Sequence, residues 1–205
     1  MTEALIIFAK LPRPGEVKTR LGSVVGMEEA ASIYRGFAEH AFLLGDALAG
    51  SGVQVHVFYD PCASENDFRT WIGHAFSFAP QEGNTLGERM HRAFEATFAQ
   101  GAARCIIIGT DVPDLEAATV LQAFELLSAH AVVIGPSTDG GYYLLGMNAP
   151  VKDLFGGITW STSTVFDDTL KRLTKLSLSY SVLGELSDID TVEDYRNYRR
   201  RRNDA

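Results

Sequence analysis

Apolar residues fall along this chain in short unbroken runs separated by longer stretches that repeat them every three or four positions. Ala4 to Lys10 is a run of strand length, stopped by the Pro and Gly of Leu11-Pro12-Arg13-Pro14-Gly15. Met27 to Ala49 then places Ala30, Ile33, Tyr34, Phe37, Ala38, Ala41 and Phe42 at helical spacing, which predicts an amphipathic helix. Val53 to Tyr59 reads as a second strand, Glu65 to Ile72 as a short helix and Ala75 to Ala79 as a third strand. Thr85 with Glu88 three positions on has the form of a capping box, and Leu86, Met90, Phe94 and Phe98 make a stripe behind it, so a helix is expected there. Arg104 to Gly109, with its Cys-Ile-Ile-Ile centre, reads as a buried strand, and Asp114 is placed to cap a helix through Ala117, Leu121 and Phe124. Ala131 to Gly135 and Tyr142 to Met147 add two strands. A helix over Thr164 to Leu173, a strand over Leu178 to Leu183 and a helix opened by Asp190-x-x-Glu193 complete the pattern. Strands alternating with helices predict an α/β fold, a three-layer α/β/α sandwich on a mostly parallel mixed sheet. No internal repeat or linker interrupts it, so residues 1–205 are expected to form one domain, with 196–205 as a basic tail.

Composition narrows the class. With 46% hydrophobic and 21% charged residues the 205-residue chain is globular in type, neither disordered nor low in complexity. Its apolar runs are far shorter than the ~20 residues of a membrane helix. Met1-Thr2-Glu3-Ala4 carries no basic leader region, so a cytoplasmic location away from membranes is expected. Cys62 and Cys105 offer no disulfide framework, and the five histidines no zinc spacing. A net charge of −8 speaks against nucleic-acid partners. That average conceals an uneven distribution: Lys10, Arg13, Lys18 and Arg20 crowd one window, and Arg196 to Arg202 hold five arginines, together half of the 18 cations. An anionic ligand is to be sought at these windows first.

The first window follows the first strand, where open α/β sheets bind ligands. Pro12 and Pro14 fix the backbone and Gly15 permits its close approach, while Lys10, Lys18 and Arg20 suit a di- or triphosphate and charge on a departing group. Neither a Gly-x4-Gly-Lys-Ser/Thr loop nor Gly-x-Gly-x-x-Gly is present there. Asp111, in Gly109-Thr110-Asp111-Val112-Pro113-Asp114, leaves the end of a buried strand, a costly place for a charge unless Mg2+ or Mn2+ meets it. Asp188 precedes the last helix without the capping role open to Asp190, and is the second expected metal ligand. Asp139-Gly140-Gly141-Tyr142 reads equally as a tight turn or as an acceptor site for a sugar or other polyol, with Trp160 as a wall or as core. Gln81 and Gly87 suit contact with a nucleobase, the amide by hydrogen bonding and the glycine by close approach.

In order, Phe8-Ala9-Lys10-x-Pro12-x-Pro14-Gly15-x-Val17-Lys18-Thr19-Arg20-Leu21, Gln81 with Leu86-Gly87-Glu88-Arg89-Met90, Gly109-Thr110-Asp111-x-Pro113-x-Leu115, Asp139-Gly140-Gly141-Tyr142-Tyr143-Leu144-Leu145-Gly146 and Asp188-Ile189-Asp190-Thr191-x-Glu193-Asp194 resemble a bacterial family of nucleotide-diphospho-sugar transferases with the glycosyltransferase-A fold. The resemblance runs from about Ala4 to Tyr195 and extends, more distantly, to molybdenum-cofactor and 2-phospholactate guanylyltransferases. It implies a divalent cation on Asp111 and Asp188, base reading by Gln81 and Gly87, and transfer from a nucleotide-activated donor to a small-molecule acceptor. The Gly-Gly-x-Ser-x-Arg loop common in sugar nucleotidyltransferases is replaced by Lys10 to Arg20, whereas the phospholactate enzymes share a Lys…Lys-Ser/Thr-Arg-Leu loop. Three activities are therefore open: glycosyl transfer, with Lys18 and Arg20 on the leaving diphosphate and Asp139 on the acceptor hydroxyl; nucleotidyl transfer with release of pyrophosphate; and nucleotide binding without catalysis. A homo-oligomer is compatible with each.

Overall fold

The computed structural model describes residues 2–73 and 76–203. Seven strands, β1 (Glu3–Ala9), β2 (Gln54–Tyr59), β3 (Ser77–Pro80), β4 (Arg104–Ile108), β5 (Val132–Pro136), β6 (Tyr142–Met147) and β7 (Tyr180–Val182), form one sheet in the order β3-β2-β1-β4-β6-β5-β7. Only β6 runs antiparallel, paired to both β4 and β5. The helices are α1 (Thr19–Val25), α2 (Met27–Ala49), α3 (Glu65–Ile72), α4 (Leu86–Ala99), α5 (Ala117–Leu126), α6 (Val165–Lys175) and α7 (Val192–Asn203), with a 3-10 turn at Lys152–Phe155.

Side chains alternate across the strands, and this divides the core in two. Leu5, Ile7, Val57, Ile106 and Ile108 pack with Phe42, Phe68 and Phe124 of α2, α3 and α5. Ile6, Cys105, Ile107 and Leu145 pack on the other face with Phe94 of α4 and Leu173 of α6. Covered on both faces, β1 and β4 need an unbroken apolar sequence, and Ala4 to Ile7 have no exposure at all. The architecture is thus the expected three-layer α/β/α sandwich with a mostly parallel mixed sheet. A third cluster of Leu21, Ala30, Ile33, Phe37 and Ile189, flanked by Tyr195 and Tyr198, ties α1 and α7 to α2.

Local departures from the sequence reading have physical causes. Asp114 does not cap α5; Glu116 occupies that position without a side-chain cap, and Asp114 pairs with Arg201 at 2.8 Å. Before α7 the box is made by Thr191 and Asp194, one residue beyond Asp190 and Glu193. The Asp194 carboxylate accepts from the Thr191 N–H (2.7 Å), and the Thr191 hydroxyl accepts from the Asp194 N–H (3.3 Å). Leu86 is 44% exposed while Gly87 is buried, because the helix turns its glycine inward. The short helix α1 interrupts what reads as loop, and the third strand starts at Ser77; Ala75, its expected start, and His74 lie outside the described residues. The basic tail continues α7 through 203, its arginines exposed, and residues 204–205 also lie outside the described residues. Among the described residues no helix is long and apolar enough to cross a membrane.

Candidate active site

Four segments meet beyond the ends of β1 and β4: the loop after β1, the loop after β4, the turn between β5 and β6, and the stretch leading into α7. Tyr34, buried on α2, joins the first two. Its hydroxyl accepts from the Lys10 N–H (2.9 Å) and the Thr110 hydroxyl (3.1 Å) and donates to the Lys10 carbonyl (3.3 Å). Burial, and then the Asp111 charge, push the Tyr34 phenol well above its ordinary range, so it stays protonated. The Ile189 N–H donates to the Asp111 carbonyl at 3.0 Å, and the Thr138 N–H to that of Leu186 at 3.1 Å, which bring the third and fourth segments alongside.

Lys18 sits at the centre. It precedes α1 with left-handed backbone angles, φ 47° and ψ 44°, which for a residue with a Cβ cost about 1–2 kcal/mol. Its side chain is 4% exposed, with Nζ 2.7 Å from Asp111 Oδ1 and 3.9 Å from Asp190 Oδ1. Arg20 reaches the other Asp190 oxygen at 3.2 Å and is 76% exposed. Asp190 is free to do this because Thr191 and Asp194 cap the helix. Asp188 is half-buried, and burial, then the Asp139 charge, raise its carboxyl to about 6 against the pull of its own N–H and Lys18.

Asp111 and Asp188 offer hard oxygen donors on adjacent segments, as Mg2+ or Mn2+ prefers. Among the described residues no three His, Cys, Asp or Glu form a metal-holding group. Two carboxylates would suit such an ion, since Mg2+ is commonly bound through one or two carboxylates and keeps several waters.

The remaining expected residues are distributed more widely. The loop divides its cations: Lys10, exposed, lines a cavity of about 160 Å3 with Arg13, Asp60 and Cys62, whereas Lys18 pairs with Asp111. Burial would raise Asp60, but the Cys62 N–H and thiol, Lys10 and Arg89 hold it below the ordinary carboxylate range. Gly15 makes an exposed turn at φ 81°. Gln81 is buried, its amide donating to the Phe58 carbonyl (2.9 Å) and accepting from Arg89 (3.3 Å), so one of its two N–H donors and one oxygen lone pair are engaged inside the protein. Space over Gly87 is filled by the indole of Trp160, which a Cβ would overlap and which stacks on Phe155 at 6.3 Å. Tyr142 also turns inward: its hydroxyl lies 3.9 Å from Met90 Sδ and bonds Thr169, and burial pushes its phenol up. Asp139 is exposed and accepts from the Ser137 hydroxyl (2.6 Å) and the Gly141 N–H (2.8 Å), a turn that Gly140 serves at φ 87°, packed against the Ser163 carbonyl. Tyr34, Asp60 and Arg89 are site neighbours that the sequence does not mark as such, and Asp190 reads there only as a helix cap. Asp190 was legible in principle, since two overlapping capping boxes compete there; the others carry no local signal.

Among curated proteins no match is found. The crystal structure of a "putative nucleotide-diphospho-sugar transferase" from Desulfovibrio desulfuricans G20 is similar with 35% sequence identity and a TM-score of 0.92, over 98% of this chain and 88% of that one. The inositol-1-phosphate CTP transferase from T. maritima (13% identity, TM-score 0.60, 94% and 91% of the two chains) shares the fold. So does a Mycobacterium tuberculosis H37Rv protein solved in complex with manganese (15%, 0.53, 96% and 97%). Residues 43–162 match the sequence profile of DUF2064, described as "Uncharacterized protein conserved in bacteria", and the chain belongs to that family.

Proposed function

We propose that this protein is a metal-dependent transferase drawing on a nucleotide-activated donor, and that it moves a sugar from a nucleotide diphosphate sugar to a small-molecule acceptor. The observation that carries this reading is the convergence of Lys18 and Arg20 with Asp111, Asp188 and Asp190 beyond the β1 and β4 ends. The relative at 35% identity, described as a nucleotide-diphospho-sugar transferase, supports the sugar. Lys18 and Arg20 bind and neutralise the departing diphosphate, Lys as a point charge and Arg as a planar fork. Asp111 and Asp188 would hold Mg2+ or Mn2+, which when bound supplies charge stabilisation on phosphate oxygens. Asp139 Oδ1 is taken by Ser137 and Gly141, so Oδ2 is the oxygen assigned to receive the acceptor's proton. Lys10 with the Asp60 cavity is the place for the outer part of the nucleotide, while Trp160, packed over Gly87 and on Phe155, serves as core.

The element Lys18-Thr19-Arg20-Leu21, with its likeness to phospholactate guanylyltransferases, favours a second reading in which a nucleoside triphosphate reacts and pyrophosphate leaves. Incubation with panels of nucleotide sugars and nucleoside triphosphates, each with Mg2+ or Mn2+, separates the two. Free nucleoside diphosphate is expected; pyrophosphate in its place would overturn sugar transfer. Turnover that survives both Asp111→Asn and Asp188→Asn would remove the metal from the proposal.

A further inference from the structure

Among the described residues Lys18 is the one Lys, Arg, Asp or Glu that is buried. A buried ammonium is tolerated only when an anion meets it directly, and Asp111, at 2.7 Å, does so. On the proposed function, that same carboxylate is a ligand of the divalent cation. Both occupants draw on the one carboxylate, of which Lys18 holds Oδ1. A divalent ion on Asp111 would stand within a few ångströms of the ammonium, whose side chain is 4% exposed, and the two like charges would repel. The groups around the ammonium meet solvent, Asp111 at 50%, Asp190 at 38% and Arg20 at 76% exposure, so a short movement of Nζ past them reaches water.

We infer that Lys18 and the divalent cation are alternative counter-ions of Asp111, and that the cation enters only as the Lys18 ammonium leaves. No bond is made or broken; one ion pair is exchanged for another. Phosphate oxygens that accept the released ammonium then stabilise the metal-bound arrangement. Phosphate-bearing ligand and cation therefore bind with positive coupling, each raising the affinity for the other by the same factor. Lys18 is in this respect a gate on its own active site, besides its place on the leaving group.

Two measurements test the exchange without reading catalysis. Mn2+ alone is titrated by electron paramagnetic resonance into the wild-type chain and into Lys18→Gln and Lys18→Met. Both variants are expected to bind Mn2+ about tenfold more tightly, within the ~5- to 150-fold range usual for coupled sites, and Asp111→Asn to abolish the binding. Equal or weaker binding in the Lys18 variants, with binding still sensitive to Asp111→Asn, overturns the exchange and leaves the metal reading standing. Binding insensitive to Asp111→Asn overturns both. In the wild-type chain, amine acetylation read by mass spectrometry is expected to modify Lys18 slowly in the metal-free protein and several times faster with saturating Mn2+. An unchanged or slower rate refutes the exchange even if the variants do not fold.

Discussion

Tyr34→Phe removes one oxygen from the interior and nothing else, so its effect isolates the hydroxyl that joins the β1 and β4 loops. Three hydrogen bonds are lost: 2.9 Å from the Lys10 N–H, 3.1 Å from the Thr110 hydroxyl and 3.3 Å to the Lys10 carbonyl. The Thr110 side chain is buried and its hydroxyl can rotate to seek another acceptor, whereas the Lys10 N–H has a fixed direction. With the Lys10 N–H only partly buried, each of the three bonds counts about 0.5–1.5 kcal/mol, and the total comes to about 2–4 kcal/mol. At 2–4 °C per kcal/mol for a domain of this size, the melting temperature is expected to fall by roughly 5–15 °C. Urea unfolding followed by circular dichroism measures the change. Combining Tyr34→Phe with Thr110→Val makes the test sharper, because removing both ends of a buried hydrogen bond costs less than the sum of the two single changes. A loss below about 0.5 kcal/mol for Tyr34→Phe, or strict additivity in the double variant, would refute the role assigned to this hydroxyl.

Thr191→Ala should destabilise the chain by about 1 kcal/mol through loss of the α7 cap, while Asp190→Ala should leave α7 intact and instead loosen Arg20; chemical denaturation of the two variants compares them. Asp188 has a folded-state value of about 6, above its ordinary 3.8. A carboxyl raised on folding keeps its proton longer in the folded chain, so stability falls as pH rises from about 4 to 6 and stays lower above that. After discounting for its partial exposure, Asp188→Asn should gain about 1–2 kcal/mol at pH 7 and flatten that slope, as measured by unfolding across pH 4–8. Gly87→Ala would put a Cβ 2.5–2.6 Å from Cε2 and Nε1 of Trp160. In a Trp71→Phe background the emission of Trp160 should then shift to the red as the indole is expelled, and an unshifted spectrum would show that the helix moves instead.

Much of the α/β layering was legible in the sequence because it is written in local periodicity. Ala4 to Ile7 and Cys105 to Ile108 are apolar at every position because both faces of β1 and β4 are covered, and the stripe Ala30, Tyr34, Phe37, Ala41 needs one face only. The motif segments were also legible as segments, since Pro12, Gly15, Gly140 and the run from Asp188 to Asp194 announce turns and helix starts by composition. Which atoms within them face one another was not. Overlapping capping boxes at residues 190–194 satisfy the same local rule, and the choice that frees Asp190 is made by packing against α2 and by the pull of Lys18 and Arg20. Gln81 and Gly87 have the chemistry to meet a base, yet the amide is drawn to the Phe58 carbonyl and Arg89, and the glycine is covered by Trp160, more than 70 residues along the chain. The antiparallel entry of β6 between β4 and β5 and the placing of Lys18 on Asp111 belong to the same class. Sequence patterns report what each residue needs from water, and so determine layers and turns. Hydrogen bonds and ion pairs between distant segments depend on which partners the closed fold brings within reach, and only the tertiary structure decides that.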